Sequence, residues 1–189
     1  MKPAFKPLLA LATALTLAAM AFFIGCSDDE DGGTNSTDNR DDWTVIIYAA
    51  GNYAGDTLGG QSMVIDNIQA MEEVDSSSTV NIIAMVASGA IGGVGRYHEI
   101  EPNPGDTGNQ ISSTMIQDLG TTDMSSGQTM TACLNWAMSN YAAKRYAVVV
   151  DAPGSGWRGC CRDDINGSGT PMSLTDLSTA LTQAISQHG

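Results

Sequence analysis

Apolar and polar positions along this chain follow two rhythms, one of strands and one of helices. Trp43 to Ala50, WTVIIYAA, is a continuous β-branched and aromatic run, which predicts a strand buried on both faces. Gly51-Asn52 breaks it. From Leu58 to Val74 the residues Val64, Ile68 and Met71 recur at i, i+4 and i+7, the spacing of a helix with one buried stripe. Thr79 to Val86, TVNIIAMV, predicts a second buried strand. A Gly-rich turn, SGAIGGVG, leads to Arg96–Glu101, RYHEIE, whose alternation predicts a half-exposed strand, and Pro102 to Asn109 is a turn-rich loop. Helical spacing returns over Gln128 to Tyr141, with Met130, Leu134, Ala137 and Tyr141 on one side. Tyr146 to Asp151 then reads as another buried strand. The last element opens on Ser173-Leu174-Thr175-Asp176, a capping-box variant, and carries Leu174, Leu177, Leu181 and Ile185 as its stripe. This order predicts an α/β domain with a mainly parallel sheet flanked by helices on both faces. No internal repeat is visible.

The first forty or so of the 189 residues follow neither rhythm. Lys2 and Lys6 precede an uncharged run from Leu8 to Ile24 and then Gly25-Cys26, the layout of an export signal. The ending FFIGC resembles the bacterial lipoprotein cleavage box, which implies cleavage before an acylated Cys26 and a membrane anchor there. Alternatives are an uncleaved membrane anchor, or an ordinary Cys behind a signal peptide. SDDEDGGTNSTDNRDD follows, almost without apolar residues, and reads as a solvated tether. Its acidic start resembles the surface-export signal of Bacteroidetes-type lipoproteins, pointing to the outer-membrane surface, although an acidic linker also serves solubility alone. The expected organisation is a signal peptide over 1–25, a tether over 26–42 and one folded domain over 43–189, long enough for a core.

Charge narrows the partners. Loss of residues 1–25 removes two of the eight basic residues and none of the 21 acidic ones, moving the net charge from −13 to −15. Such a chain is repelled by nucleic acid and by anionic membrane surfaces. Cationic peptides or Ca²⁺ suit it better, but no EF-hand spacing is present.

Candidate chemistry gathers in RYAVVVDAPGSGWRGCC, Arg145 to Cys161, where a strand runs into a Gly-rich turn. Gly154 to Gly159 formally matches G-x-G-x-x-G, but the polar CCRDDINGSGTP that follows opens no helix, as a dinucleotide site requires. Asp151, Asp163 and Asp164 suggest paired carboxylates or Ca²⁺ ligands, or charges that are merely solvated. Trp157 suggests a ligand platform or a plug that packs the loop onto the sheet. Cys133 falls in an apolar helical pattern and reads as core, whereas Cys160-Cys161 lies in a polar loop; with three thiols, at least one stays unpaired by any internal disulfide. No zinc spacing is present. His98 reads as a surface or packing histidine and His188 as near a free end, so neither is placed beside a cysteine.

DDWTVIIYAAGNY, STVNIIAMV, GRYHEIE, DLGTTDMSSGQTMTACLNWAMSNYAAKRYAVVV and GSGWRG, in this order and spacing, resemble the clostripain family of cysteine peptidases from Trp43 to Ile185. The resemblance implies a caspase-like fold and cleavage after Arg or Lys, in several cases with Ca²⁺ and otherwise with no required cofactor. It implies a catalytic His immediately before the first Gly of the Gly-x-Gly-Trp turn, where this chain has Pro153. It further implies a strand after the last helix ending in Asp-x-Cys, which supplies the nucleophile, together with an acidic residue that binds the basic substrate side chain. The sequence stops at Gly189 before such a segment, so the fold is expected to be incomplete at that end, with the segment missing or separately encoded. A peptidase needs a thiolate that an adjacent His activates, and proline neither takes nor gives a proton. Gly154, Ser155 and Gly156 remain as backbone donors for an oxyanion, which alone leave weak catalysis. Two readings follow: a clostripain-like endopeptidase inactive as written, or a surface lipoprotein that binds a peptide or protein partner without cutting it.

Overall fold

The computed structural model describes residues 38–74 and 78–188; the leader, Cys26 and most of the tether lie outside them. No helix among the described residues is long and apolar enough to cross a membrane. Strands β1 (Asp41–Gly51), β4 (Val80–Ser88), β5 (Val94–Glu99), β6 (Met115–Thr121) and β7 (Ala143–Asp151) form one sheet in the order β6-β5-β4-β1-β7. β4, β1 and β7 run parallel, while β5 and β6 extend the sheet antiparallel. β1 starts within the expected tether, since Asp41 pairs with Ala143 and Asp42 meets the Lys144 ammonium at 2.9 Å.

Alternation along the two central strands explains their unbroken apolar composition. Ile46, Tyr48, Ala50, Ile83, Met85 and Ala87 face one layer, which holds α2 (Gly127–Asn140) and α3 (Leu174–His188). Ile47, Ala49, Ala84 and Val86 face the other, against Val64, Ile65 and Ile68 of α1 (Met63–Glu72). On the α2 side Tyr97 stacks on Trp136 with centroids 4.0 Å apart, and Tyr48 donates its hydroxyl hydrogen to Met124 O at 3.0 Å.

Several expectations need correction. The helix expected from Leu58 begins only at Met63, because Thr57–Leu58 (β2) and Gln61–Ser62 (β3) close a hairpin on Gly59 and Gly60, both at positive φ. Ser62 then caps α1, accepting from Ile65 N–H. β7 is an edge strand rather than a buried one, leaving Val148 and Val149 36% and 42% exposed. In α3 the buried residues are Ala180 and Ala184, with Leu177 and Leu181 half-buried and Leu174 and Ile185 in solvent. α2 and α3 approach so closely that a Cβ on Gly127 would lie 2.9 Å from Asp176 Cβ, and small residues fill such a seam better than leucines.

Glu72 and His98 are buried together at the α1 side. Ser113 joins them, donating its N–H to Glu72 Oε1 (2.7 Å) and presenting its carbonyl 3.1 Å from His98 Nδ1, while Glu72 Oε2 and His98 Nε2 have no hydrogen-bond partner. Burial, reinforced by the Asp106 carboxylate, holds Glu72 above the ordinary carboxyl pKa despite the Ser113 bonds. A raised folded-state pKa means that Glu72 contributes stability below its unfolded pKa, about 4.3, and that this is lost as pH rises through the folded value. Glu72→Gln keeps the acceptor for Ser113 and removes the buried charge. The variant is expected to melt higher than the parent at pH 7, the gap closing toward pH 4. His98, lowered by burial, and Asp106, lowered by its Ser112 bonds, slope the opposite way. Because Asp106 faces Glu72, subtracting parent from variant Tm at each pH removes the His98 slope and reports the two carboxyls together, and a lower Tm for the variant at pH 7 would refute the assignment.

Candidate functional site

Buried Asn52 and Ser88, at the C-terminal ends of β1 and β4, meet buried Asp56, Ser62 and Asp163 from the adjoining segments, at the usual place for a site in a parallel sheet. Gly51 ends β1 because any Cβ there would sit 2.6 Å from Val64 Cγ2 and 2.7 Å from Asp56 Oδ2. Asp56, buried, accepts from Ser88 Oγ at 2.6 Å and from Val64 N–H at 3.3 Å. Ser88 Oγ lies 3.0 Å from Ser62 Oγ, so the ends of β1 and β4 and the start of α1 share one network. Asp151 ends β7 and accepts from Asn67 Nδ2 at 3.0 Å; partial burial, with Asp56 nearby, raises its carboxyl pKa.

Asp163 is not solvated, contrary to one expectation, but is the most heavily bonded carboxylate of the loop. Its Oδ2 accepts from Asn52 Nδ2 (3.1 Å) and Met124 N–H (2.9 Å). Oδ1 accepts from the N–H groups of Ile165 (3.0 Å), Asn166 (2.7 Å) and Gly167 (3.3 Å). Asn52 also donates to Gly93 O and accepts at its carbonyl from Asp164 N–H at 2.6 Å, which straps the loop after β7 across the sheet end. Asp164 pairs with Arg162 Nε at 2.6 Å and accepts from Ala54 N–H, and the Arg162 bond holds its carboxyl below the usual range. No cluster of three or more His, Cys, Asp or Glu among the described residues is placed to hold a metal. Both oxygens of Asp163 are taken by protein donors and Asp164 is paired with Arg162, whereas Asp151 accepts only from Asn67.

Beyond Asp151 comes the turn that the sequence singles out. Half-buried Pro153 leads into Gly154, which bridges to Cys160, and Cys160 bridges on to Met172. Ser155 N–H donates to Gly159 O at 2.8 Å, so an oxyanion would have to displace that bond; this removes Ser155 from the candidate donors and leaves Gly154 and Gly156. Trp157 does not plug the loop onto the sheet, being 82% exposed with the Arg158 guanidinium 5.4 Å from its ring centroid.

The thiols and imidazoles stay apart. Cys133 is core, its thiol pushed up to about 12 by burial, and Cys161, also buried although its loop is polar, is pushed up by burial and by Cys160, whose Sγ lies 3.5 Å away. All three cysteines in the described residues are free. His98 faces the α1 layer, opposite Cys133, and His188 ends α3; neither bonds to a cysteine. Asn52, Asp56 and Ser88, which organise the sheet end, went unmarked in the sequence except for the Gly51-Asn52 break.

No protein-family model matches the sequence, and no curated protein matches it. Solved structures do. A secreted C11 cysteine protease from Bacteroides thetaiotaomicron, in complex with an irreversible peptide inhibitor, superposes with a TM-score of 0.59 at 20% identity, covering 76% of this chain and 39% of that one. The fold is that of the C11 cysteine proteases. A second secreted C11 structure from the same organism, called iotapain, gives 0.56 at 16% identity over 77% of this chain and 43% of that one. An inactive zymogen C11 protease from Parabacteroides distasonis gives 0.55 at 20% identity over 75% and 38%. The chain therefore spans about two fifths of the length of these C11 structures. The caspase-like architecture and its partial extent agree with the clostripain resemblance.

Proposed function

We propose that this chain is a C11-type scaffold that binds a peptide without cutting it. The observation that carries the reading is Pro153. It follows β7 at the position where the resemblance puts the general base, and its side chain holds no proton at any pH. The thiols of Cys133 and Cys161 are buried, which raises the pKa of each and disfavours a thiolate, and Cys160 is half-buried, packed on the α2-side core with its Sγ 3.5 Å from that of Cys161. Peptide binding draws support from the C11 neighbour that holds a peptide inhibitor. Export is part of the proposal, supported by the leader-like residues 1–25 and by secreted neighbours; lipid anchoring at Cys26 and display on the outer membrane extend it.

A second reading is favoured by the extent of the match. With about two fifths of the C11 length represented, this chain would be the N-terminal part of a peptidase whose thiol and basic-residue pocket come from a further segment or a separate chain. A native reading frame that continues into a strand ending in Asp-x-Cys, with His at codon 153, would favour it.

Arg- and Lys-peptide reporters offered to the 189-residue chain are expected to show no turnover above buffer, with or without Ca²⁺. Pro153→His is expected to leave that result unchanged, because an imidazole without a neighbouring thiolate has nothing to activate. Turnover that thiol alkylation abolishes would overturn the non-catalytic reading.

A further inference from the structure

Trp157, at 82%, is more exposed than any other large apolar side chain among the described residues. Leaving an indole in water forgoes the stabilisation of burying it, and the Arg158 guanidinium lies 5.4 Å from its ring centroid. Trp157 and Arg158 stand on one wall of a groove of about 940 Å³. Arg162, Pro171 and the first turn of α3, through Leu174 and Thr175, line the remainder. The groove thus collects two of the six Lys and Arg side chains of residues 38–188, in a chain of net charge −13.

The ion pair with Asp164 offsets part of the Arg162 charge. Asp164 is bonded to Arg162 through Nε alone and takes Ala54 N–H on its other oxygen. Asp176 accepts from the Ser173 hydroxyl. Arg158 has no carboxylate partner among the described residues. The positive end of α3 adds to the same sign. Such a groove matches a carboxylate held by guanidinium groups beside an apolar side chain laid on the indole and the half-exposed Leu174. The overall negative charge disfavours a long polyanion, so a short acidic segment fits better than nucleic acid.

We infer that the groove between the Trp157–Arg158 turn and the start of α3 binds an acidic peptide segment, one carboxylate between Arg158 and Arg162 and a neighbouring apolar side chain on Trp157. The inference rests on the peptide-binding reading and names the ligand class, opposite in charge to the basic residue that the clostripain resemblance implies.

The test is fluorescence anisotropy of the 189-residue chain with two rhodamine-labelled peptides, one of alternating Glu and Leu and its Lys and Leu counterpart. The Glu peptide is expected to bind, and Arg158→Ala with Arg162→Ala to weaken it about tenfold or more. Trp157→Ala alone, an exposed substitution that leaves every hydrogen bond of the loop in place, is expected to weaken it several-fold. Binding should also fall as salt rises. Binding of the Lys peptide in preference, or Glu-peptide binding unchanged in both the double variant and Trp157→Ala, would overturn the groove while leaving peptide binding standing. Binding of neither peptide would overturn both.

Discussion

Replacing Asp163 by Ala is expected to destabilise the domain by about 4 kcal/mol or more, because five buried or half-buried donors lose their acceptor at once. Each donor belongs to a different residue, and the loss reaches from Asn52 at the end of β1, through Met124 ahead of α2, to Ile165, Asn166 and Gly167. Asp163→Asn is the informative companion. It preserves shape but turns one oxygen into an amide nitrogen, which faces donors whichever way the side chain is set, so about half the loss is expected. Urea denaturation gives both values. Hydrogen exchange should show the N–H groups of Met124, Ile165 and Asn166 unprotected in the Ala variant before the β1 and β4 core opens. A loss under about 1 kcal/mol for Asp163→Ala would mean that the loop is held by its other contacts, and that Asp163 merely fills the space.

Asp163 also shows where reading the sequence stops. An acid in CCRDDINGSGTP looks solvated because nothing in the residue order shows that five N–H groups converge on it. Trp157 stays open in the sequence for a different reason: an indole at a turn suits a ligand platform as well as a plug on the sheet, and only the structure shows it standing free beside Arg158. β1 and β4 were legible because burial on both faces leaves no polar position to blur the run. β6 was not, since Met115–Thr121 is an exposed edge whose partner β5 carries two register shifts, so no alternation survives. α3 was legible as a helix and misread as a face. Hydrophobic spacing favours large residues, whereas its seam with α2 selects Ala180 and Ala184. That Pro153 stands where the clostripain resemblance implies a His is legible from the sequence alone, because it depends on the identity of one residue before a recognisable turn.

Gly159→Ala is expected to have the largest local effect of any single methyl added to this loop. Gly159 has φ +123°, a region that residues with a Cβ rarely adopt, and the added Cβ would lie 1.8 Å from Met172 O. Backbone occupies that space, so the clash is relieved only by moving the strap. Two bonds hold it there: Cys160 N–H to Met172 O at 3.0 Å and Ser155 N–H to Gly159 O at 2.8 Å. Displacing them opens the turn that carries Pro153 and Trp157 and pulls on Met172, which is buried in the α2 layer. A loss of about 3 kcal/mol is expected, from backbone strain together with the disturbed packing of Met172. The distribution of that loss matters more than its size. Because the strain lies outside the central strands, amide protection in β1 and β4 should fall only with global stability, whereas residues 154–160 should exchange freely in native buffer. Acidic-peptide binding should disappear even under conditions where the variant is fully folded, since the two walls of the groove are joined through this strap. A variant that melts like the parent and keeps its loop protected would show that the turn has a second backbone arrangement of equal stability, and Gly159 would then not be what sets the groove.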